Sequence, residues 1–330
     1  MTATAPPEIS KDAFLRAQRR GATVALLISC LVWGGSFTWA KAAIETINIA
    51  AGTAGDSGLG PMLLIAWRFM IAGILWIAIF PRARRGWSWP SIRRASTLGS
   101  LFTLGMVTQQ MGLGLTSEAT SAFLTSLSIL FVPLLMFLTT RRLPPPLLWI
   151  GIILATAGIW LMTGAAPSGL GVGELLGLCC SIFFSIYLLA MNALVTRDDP
   201  WRMAGGQFLV IGVVCAIVAL IFYPAAQSAR TMLIPVGRDV ILNLMLLVTF
   251  ATLAGFGLMV LYQPRLDPAR AALIYLTEPI FAAAYAYLFA GRSMSRQAIA
   301  GAALILIANG LVELMEQRAT KSLPRAQVSA

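Results

Sequence analysis

Apolar residues in this chain do not alternate with polar ones; they come in runs. From residue 21 to residue 315, stretches of about twenty mostly apolar residues follow one another, separated by short basic, polar or glycine-rich connections. That length matches the roughly 20 residues a helix needs to cross about 30 Å of hydrocarbon, and the missing two-residue period argues against strands. The pattern predicts an all-α polytopic membrane protein with ten transmembrane helices, at 21–44, 61–80, 95–115, 119–140, 147–164, 173–195, 203–222, 240–262, 268–290 and 297–315. The first of these is too long for a signal-peptide core, and no small-residue cleavage pattern closes it, so it is expected to remain as a span.

A second pattern lies over the first. Residues 266–311 repeat the unit at 116–161 without a gap, setting Ala119 against Ala269, Ala122 against Ala272, Phe131 against Phe281 and Arg142 against Arg292. Gly151 then meets Gly301, and Leu154 meets Leu304. The first and sixth spans also align, placing Trp33 opposite Phe184, Ser36 opposite Tyr187 and Lys41 opposite Asn192. Five spans per half is an odd number, so the second half enters the membrane from the opposite side. The expected architecture is two inverted five-helix repeats, with a site near mid-membrane between them. In domain terms this is a cytoplasmic segment at 1–20, a first repeat at 21–164, a linker at 165–172, a second repeat at 173–315 and a cytoplasmic tail at 316–330.

Composition fits this reading. Of 330 residues 58% are apolar and only 11% charged, against about 25% charged in soluble domains. The net charge of +11 does not point to nucleic acid, because the basic residues sit between apolar segments. Eighteen Lys and Arg fall in the tails and loops on the side of the termini, and four (Arg230, Arg238, Arg292, Arg296) on the other. That asymmetry places both termini in the cytoplasm. The chain has no histidine, and its four cysteines lie inside apolar segments. No disulfide framework, metal site or cofactor is implied. The expected partners are a small-molecule substrate and the lipid bilayer, and nothing specifies an oligomer.

Polar groups inside spans carry the candidate chemistry. Glu278 lies about ten residues into its span, roughly 15 Å deep. A carboxylate there must be neutral, paired or wetted. Tyr275 and Glu278 share a helix face, and the repeat carries that face onto Thr125 and Ser128, so both halves present hydrogen-bonding groups at matching depth. Trp33, Ser36 and Tyr187 are further candidates for a substrate pathway, with Gln109 and Gln110 behind them. Arg68 sits inside the second span and needs a partner, either a carboxylate such as Glu278 or helix-end carbonyls. Lys41 is near the external end of its span and is expected to snorkel. Pro133 and Pro279 would each free a carbonyl four residues earlier and kink their helices. Gly105 and Gly255, at equivalent positions, read as close-packing sites.

These residues bring out a resemblance. Trp33-Gly34, Trp67-Arg68-Phe69, the segment 121–135, Thr277-Glu278-Pro279 followed by Gly291, and the glycines Gly151 and Gly301 resemble the EamA branch of the drug/metabolite transporter superfamily. The likeness covers about residues 21–315. Its members usually carry an acidic residue in the hinge before the last helix of each half; here the hinges read Arg141-Arg142-Leu143 and Gly291-Arg292-Ser293. The resemblance implies a bacterial inner-membrane secondary transporter that exports amino acids, other metabolites or drug-like compounds under the proton gradient. Uptake of a vitamin or nucleoside-like metabolite is the alternative. An embedded enzyme is disfavoured, because the chain lacks histidine, a nucleophile elbow, a phosphate loop and paired intramembrane carboxylates. A receptor or scaffold is disfavoured because no loop is long enough for a docking module.

Overall fold

The computed structural model describes residues 11–53, 58–116, 118–141, 146–163, 171–223, 237–290 and 295–322. Within them every regular element is helical: α1 (Lys11–Gly34), α2 (Ser36–Ala50), α3 (Leu59–Ile79), α4 (Pro81–Arg84), α5 (Trp89–Leu115), α6 (Glu118–Ser126), α7 (Ser128–Thr140), α8 (Pro146–Thr163), α9 (Val172–Val195) and α10 (Pro200–Phe222). They continue as α11 (Arg238–Leu246), a π-helical segment (Leu247–Phe256), α12 (Gly257–Tyr262), a 3₁₀ turn (Gln263–Arg265), α13 (Pro268–Tyr275), α14 (Glu278–Ala290) and α15 (Arg296–Ser322). Among the described residues six helices are long and apolar enough to cross a membrane: Ala17–Ala50, Leu59–Ile79, Ser121–Thr139, Val172–Val195, Pro200–Phe222 and Arg238–Arg265. The other expected spans are helical too. Two coincide with the shorter apolar stretches Trp149–Leu161 and Arg296–Ala308. In α5, Ser, Thr and Gln dilute the apolar character, and 268–290 is broken by a turn at Leu276–Thr277. The protein is thus a multi-pass membrane protein, with side chains such as Ile74, Ile153, Ile221, Leu242 and Leu306 exposed on its flanks, where lipid replaces water as solvent.

Packing follows the repeat. Under the alignment of halves, α1 corresponds to α9, α3 to α10, α5 to the α11–π–α12 rod, α6–α7 to α13–α14, and α8 to α15. The helix pairings exchange accordingly. α5 lies on α9 as the rod lies on α1, α7 lies on α9 as α14 lies on α1, and α5 lies on α10 as the rod lies on α3. The pairs α3–α10 and α8–α15 map onto themselves. One large apolar core joins α1, α2, α3, α5, α9, α10 and the rod. A smaller one clamps α8 to α15 through Ile152, Ile159, Ile305 and Ala308.

The kinks obey the repeat more closely than the prolines do. In the first half Leu127 N–H bonds Leu124 O at 3.1 Å and Leu130 N–H bonds Leu127 O at 2.9 Å. In the second half Thr277 N–H bonds Ile274 O at 3.0 Å and Ile280 N–H bonds Thr277 O at 3.1 Å. These are the same three-residue bonds at equivalent positions, tightening both helices at one level. Pro279 sits in the first turn of α14, where no N–H is needed, and accounts for its own break. Pro133 lies inside α7, downstream of the kink at Leu127, so it does not set that kink. Elsewhere α15 runs past the expected end at 315 to Ser322, and α1 begins at Lys11. The hinge residues 142–143 and 291–293 lie outside the described residues.

Candidate functional site

One cavity, of about 90 Å³, opens where the halves meet, with walls from α1, α2, α3, α5, α6, α7, α9, the π segment and α12–α14. That space holds on the order of half a dozen water molecules. The seven pathway candidates from the sequence line it, Trp33, Ser36, Thr125, Ser128, Tyr187, Tyr275 and Glu278, and so does Arg68. Gln109 and Gln110 line it as well. Ser128 and Glu278 are the first residues of α7 and α14, so the kinks deliver both to the cavity at matching places in the repeat.

Most of the polar groups are held from behind. Trp33 Nε1 donates to Ala251 O at 2.9 Å, in the π segment. Tyr187 donates to Gln207 Oε1 at 2.8 Å, and Gln207 Nε2 donates to Met203 O at 3.0 Å. Tyr275 donates to Gln263 Oε1 at 2.9 Å, while Gln263 Nε2 reaches Asn192 Oδ1 at 3.0 Å. Thr125 Oγ1 accepts from Gln109 Nε2 at 3.2 Å, and the Ser128 carbonyl accepts from Ser185 Oγ at 3.2 Å. Each tie fixes a cavity group through a second helix, so the polar lining is preorganised rather than loose.

Arg68 finds a partner other than the carboxylate or helix-end carbonyls expected from the sequence. Arg68 does not pair with Glu278. Its Nε donates to Thr252 Oγ1 at 2.6 Å, and Thr252 in turn donates to Leu247 O at 2.9 Å. The guanidinium lies beside the adjoining rings of Phe69 and Phe256, 5.2 and 5.4 Å from their centroids, where the ring faces attract a cation. The π segment supplies this partner. Its wider turn carries Thr252 and Phe256 to Arg68 and turns the Ala251 carbonyl toward Trp33. Neither an ion pair nor a hydrogen bond holds the Glu278 carboxyl among the described residues, where the ion pairs are Arg94–Asp198 and Arg202–Asp198. Half-buried and lining the cavity, Glu278 is the acidic group of the site. Lys41 is tied rather than free: its ammonium reaches Thr116 O, at the end of α5, at 3.4 Å.

Sequence reading missed Thr252, Gln207 and Gln263, although Thr252 and Gln207 announce themselves as polar residues within apolar runs. It also passed over Phe102, Phe184 and Phe256 as cavity walls. Aromatic residues in a membrane helix carry no mark of which way they face. No group of three His, Cys, Asp or Glu gathers as a metal site among the described residues.

The profile of the EamA-like transporter family matches the chain twice, over residues 20–164 and 171–313. The chain belongs to the EamA-like transporter family. Membership of the drug/metabolite transporter superfamily follows, and with it a transporter rather than an enzyme. Each half of the molecule carries one copy of the EamA unit, and the cavity lies between the copies. An uncharacterized transporter of Archaeoglobus fulgidus is 24% identical over 297 residues, covering 90% of this EamA-like chain and 87% of its own. A solved structure, described simply as the crystal structure of a protein, superposes with TM-score 0.67 at 20% identity, covering 91% of this chain and 99% of its own. That likeness carries the fold.

Proposed function

We propose that this EamA-like transporter is a secondary carrier that exports small metabolites, such as amino acids and related or drug-like compounds, by alternating access. In this reading ten spans form two inverted five-helix repeats in the bacterial inner membrane, with both termini cytoplasmic, in keeping with the basic loops on that side. The halves rock about the cavity between them, and substrate binds among Trp33, Ser36, Thr125, Ser128, Tyr187, Tyr275 and Glu278. The observation that carries the reading is Glu278: a carboxyl inside a spanning region, in a cavity, with no cation or hydrogen-bond donor assigned to it among the described residues. Such a group exchanges protons with whatever water the cavity admits, which is what coupling to a proton gradient requires.

Counterflow in proteoliposomes tests it. Candidate compounds come from thermal-shift screening of amino acids, flavins and cationic drugs against the purified protein. A carrier accumulates labelled compound against an unlabelled internal pool without any gradient, and an imposed proton gradient drives net flux. Absence of counterflow for every compound that binds overturns the carrier reading. Gradient-driven flux that is unchanged in Glu278→Gln removes the coupling role alone.

A further inference from the structure

The charge left over in the cavity belongs to Arg68. The side chain is buried, and its Nε is spent on Thr252. Among the described residues its two terminal nitrogens donate to nothing, no carboxylate lies within ion-pair range, and Arg68 lines the cavity. A guanidinium buried this way is costly unless its remaining N–H groups are answered. A mere rivet between α3 and the π segment would spend those donors on protein carbonyls. Here Phe69 and Phe256 stand beside the guanidinium and its terminal donors stay unspent among the described residues.

A second unanswered atom stands in the same wall. The buried amides form a one-way chain: Gln110 Nε2 donates to Gln109 Oε1 at 3.3 Å, and Gln109 Nε2 donates to Thr125 Oγ1 at 3.2 Å. The chain begins at Gln110 Oε1, a buried acceptor with no donor among the described residues. Buried acceptors in folded proteins are almost always satisfied; this oxygen is closed off as the side chains stand, and a ligand O–H or N–H reaches it once the Gln110 amide, which lines the cavity, rotates. Around both groups stand Trp33, Phe102, Phe184 and Phe256.

We infer that the cavity takes a compact organic anion, its carboxylate gripped by the terminal nitrogens of Arg68, an adjacent hydroxyl or N–H given to Gln110 Oε1, and its apolar body held by the aromatic rings. The inference rests on the cavity being the transport site, and it names the substrate's chemistry there. The planar fork of arginine matches a carboxylate in two parallel bonds, which a lysine ammonium cannot do. No ion pair joins Glu278 to Arg68 among the described residues, so Glu278 does not occupy the fork.

Equilibrium binding to the purified full-length protein tests this with four matched probes: 3-phenyllactate, 3-phenylpropanoate, 3-phenyllactamide and phenethylamine. The anion with a hydroxyl binds best, and the neutral amide and the cationic amine bind about 10-fold or more weakly. R68Q brings 3-phenyllactate down to the level of the amide. Q110M erases the preference for 3-phenyllactate over 3-phenylpropanoate. Should R68Q not yield monodisperse protein, R68K serves, with a smaller loss. Equal binding of the amine or the amide by the unaltered protein, no binding of any of the four at millimolar concentration, or an unchanged anion affinity in R68Q overturns the inference. Charge-selective binding of 3-phenyllactate without its counterflow in vesicles overturns the carrier reading and leaves the anion site standing. Counterflow of phenethylamine with no anion preference does the reverse.

Discussion

Trp33 and Phe184 occupy the same place in the two halves of the molecule, and each lays its ring on a glycine of the neighbouring rod. A Cβ on Gly255 would fall 2.4 Å from Trp33 Nε1, and one on Gly105 would fall 2.5 Å from Phe184 Cδ1. Both rings line the cavity, so these glycines set the distance between cavity walls. Replacing either with alanine drives the ring off its seat. Gly255→Ala and Gly105→Ala are each expected to lower stability by about 1–3 kcal/mol through overpacking. Gly114→Ala, with nothing within 4 Å of the added carbon, is expected to be neutral or to gain up to about 1 kcal/mol from helix propensity. Thermal unfolding of the three variants in one detergent checks this.

The tyrosines of the cavity depend on buried amides. Tyr187→Phe leaves Gln207 Oε1, in a side chain only 1% exposed, without its donor. The expected cost is about 1–3 kcal/mol. The double variant Tyr187→Phe with Gln207→Leu removes both partners and is expected to recover most of that loss. If the double variant is as unstable as the sum of its parts, the hydrogen bond is not what holds Tyr187.

Away from the membrane core, Asp198 joins the halves at the loop end of α9. It accepts from Arg94 at 3.0 Å and from Arg202 at 2.7 Å, and Arg202 also donates to Arg85 O at 2.9 Å. Burial alone would raise the Asp198 carboxyl, but bonds from Ser91, the Asp199 N–H and Arg94, with the charge of Arg202, outweigh it and hold the group below its ordinary value of 3.8. A lowered folded-state value means the stabilisation is complete above the ordinary value and is lost as pH falls through the folded one. Asp198→Asn is therefore expected to unfold at a lower temperature than the parent at pH 7. The gap closes as the pH is taken below about 4. Thermal-shift curves of both proteins between pH 7 and pH 3 measure it.

For Glu278 the expectation separates coupling from binding. Glu278→Gln keeps the shape of the side chain and removes its titration. Exchange of labelled for unlabelled substrate should persist within about tenfold, while accumulation driven by a proton gradient should vanish. Equal loss of both would leave Glu278 a role in binding or structure alone and remove its part in coupling.

Lys41 and Asn192 mark how far the sequence could be read. Aligned as repeat partners from the sequence, they make equivalent contacts: Lys41 reaches the carbonyl of Thr116, and Asn192 Nδ2 that of Leu266 at 2.7 Å. Thr116 and Leu266 are the residues at which the repeated unit begins. The alignment was legible because a duplicated unit keeps its spacing. The contact was not, because a side chain's reach depends on where another helix ends.

The same division runs through the whole molecule. Length and hydrophobicity of the runs, which act locally, were enough to determine a helical membrane protein made of two like halves, and a polar residue stranded in such a run betrayed Glu278, Arg68, Thr125 and Ser128. Tertiary structure alone decided that Arg68 answers to Thr252 rather than Glu278, that residues 247–256 widen into a π-helix, and that the kinks fall at Leu127 and Thr277. These features arise where helices far apart in sequence press together. Trp33 draws the Ala251 carbonyl and Thr252 meets Arg68, and no pattern within a single helix encodes the shape of its neighbour.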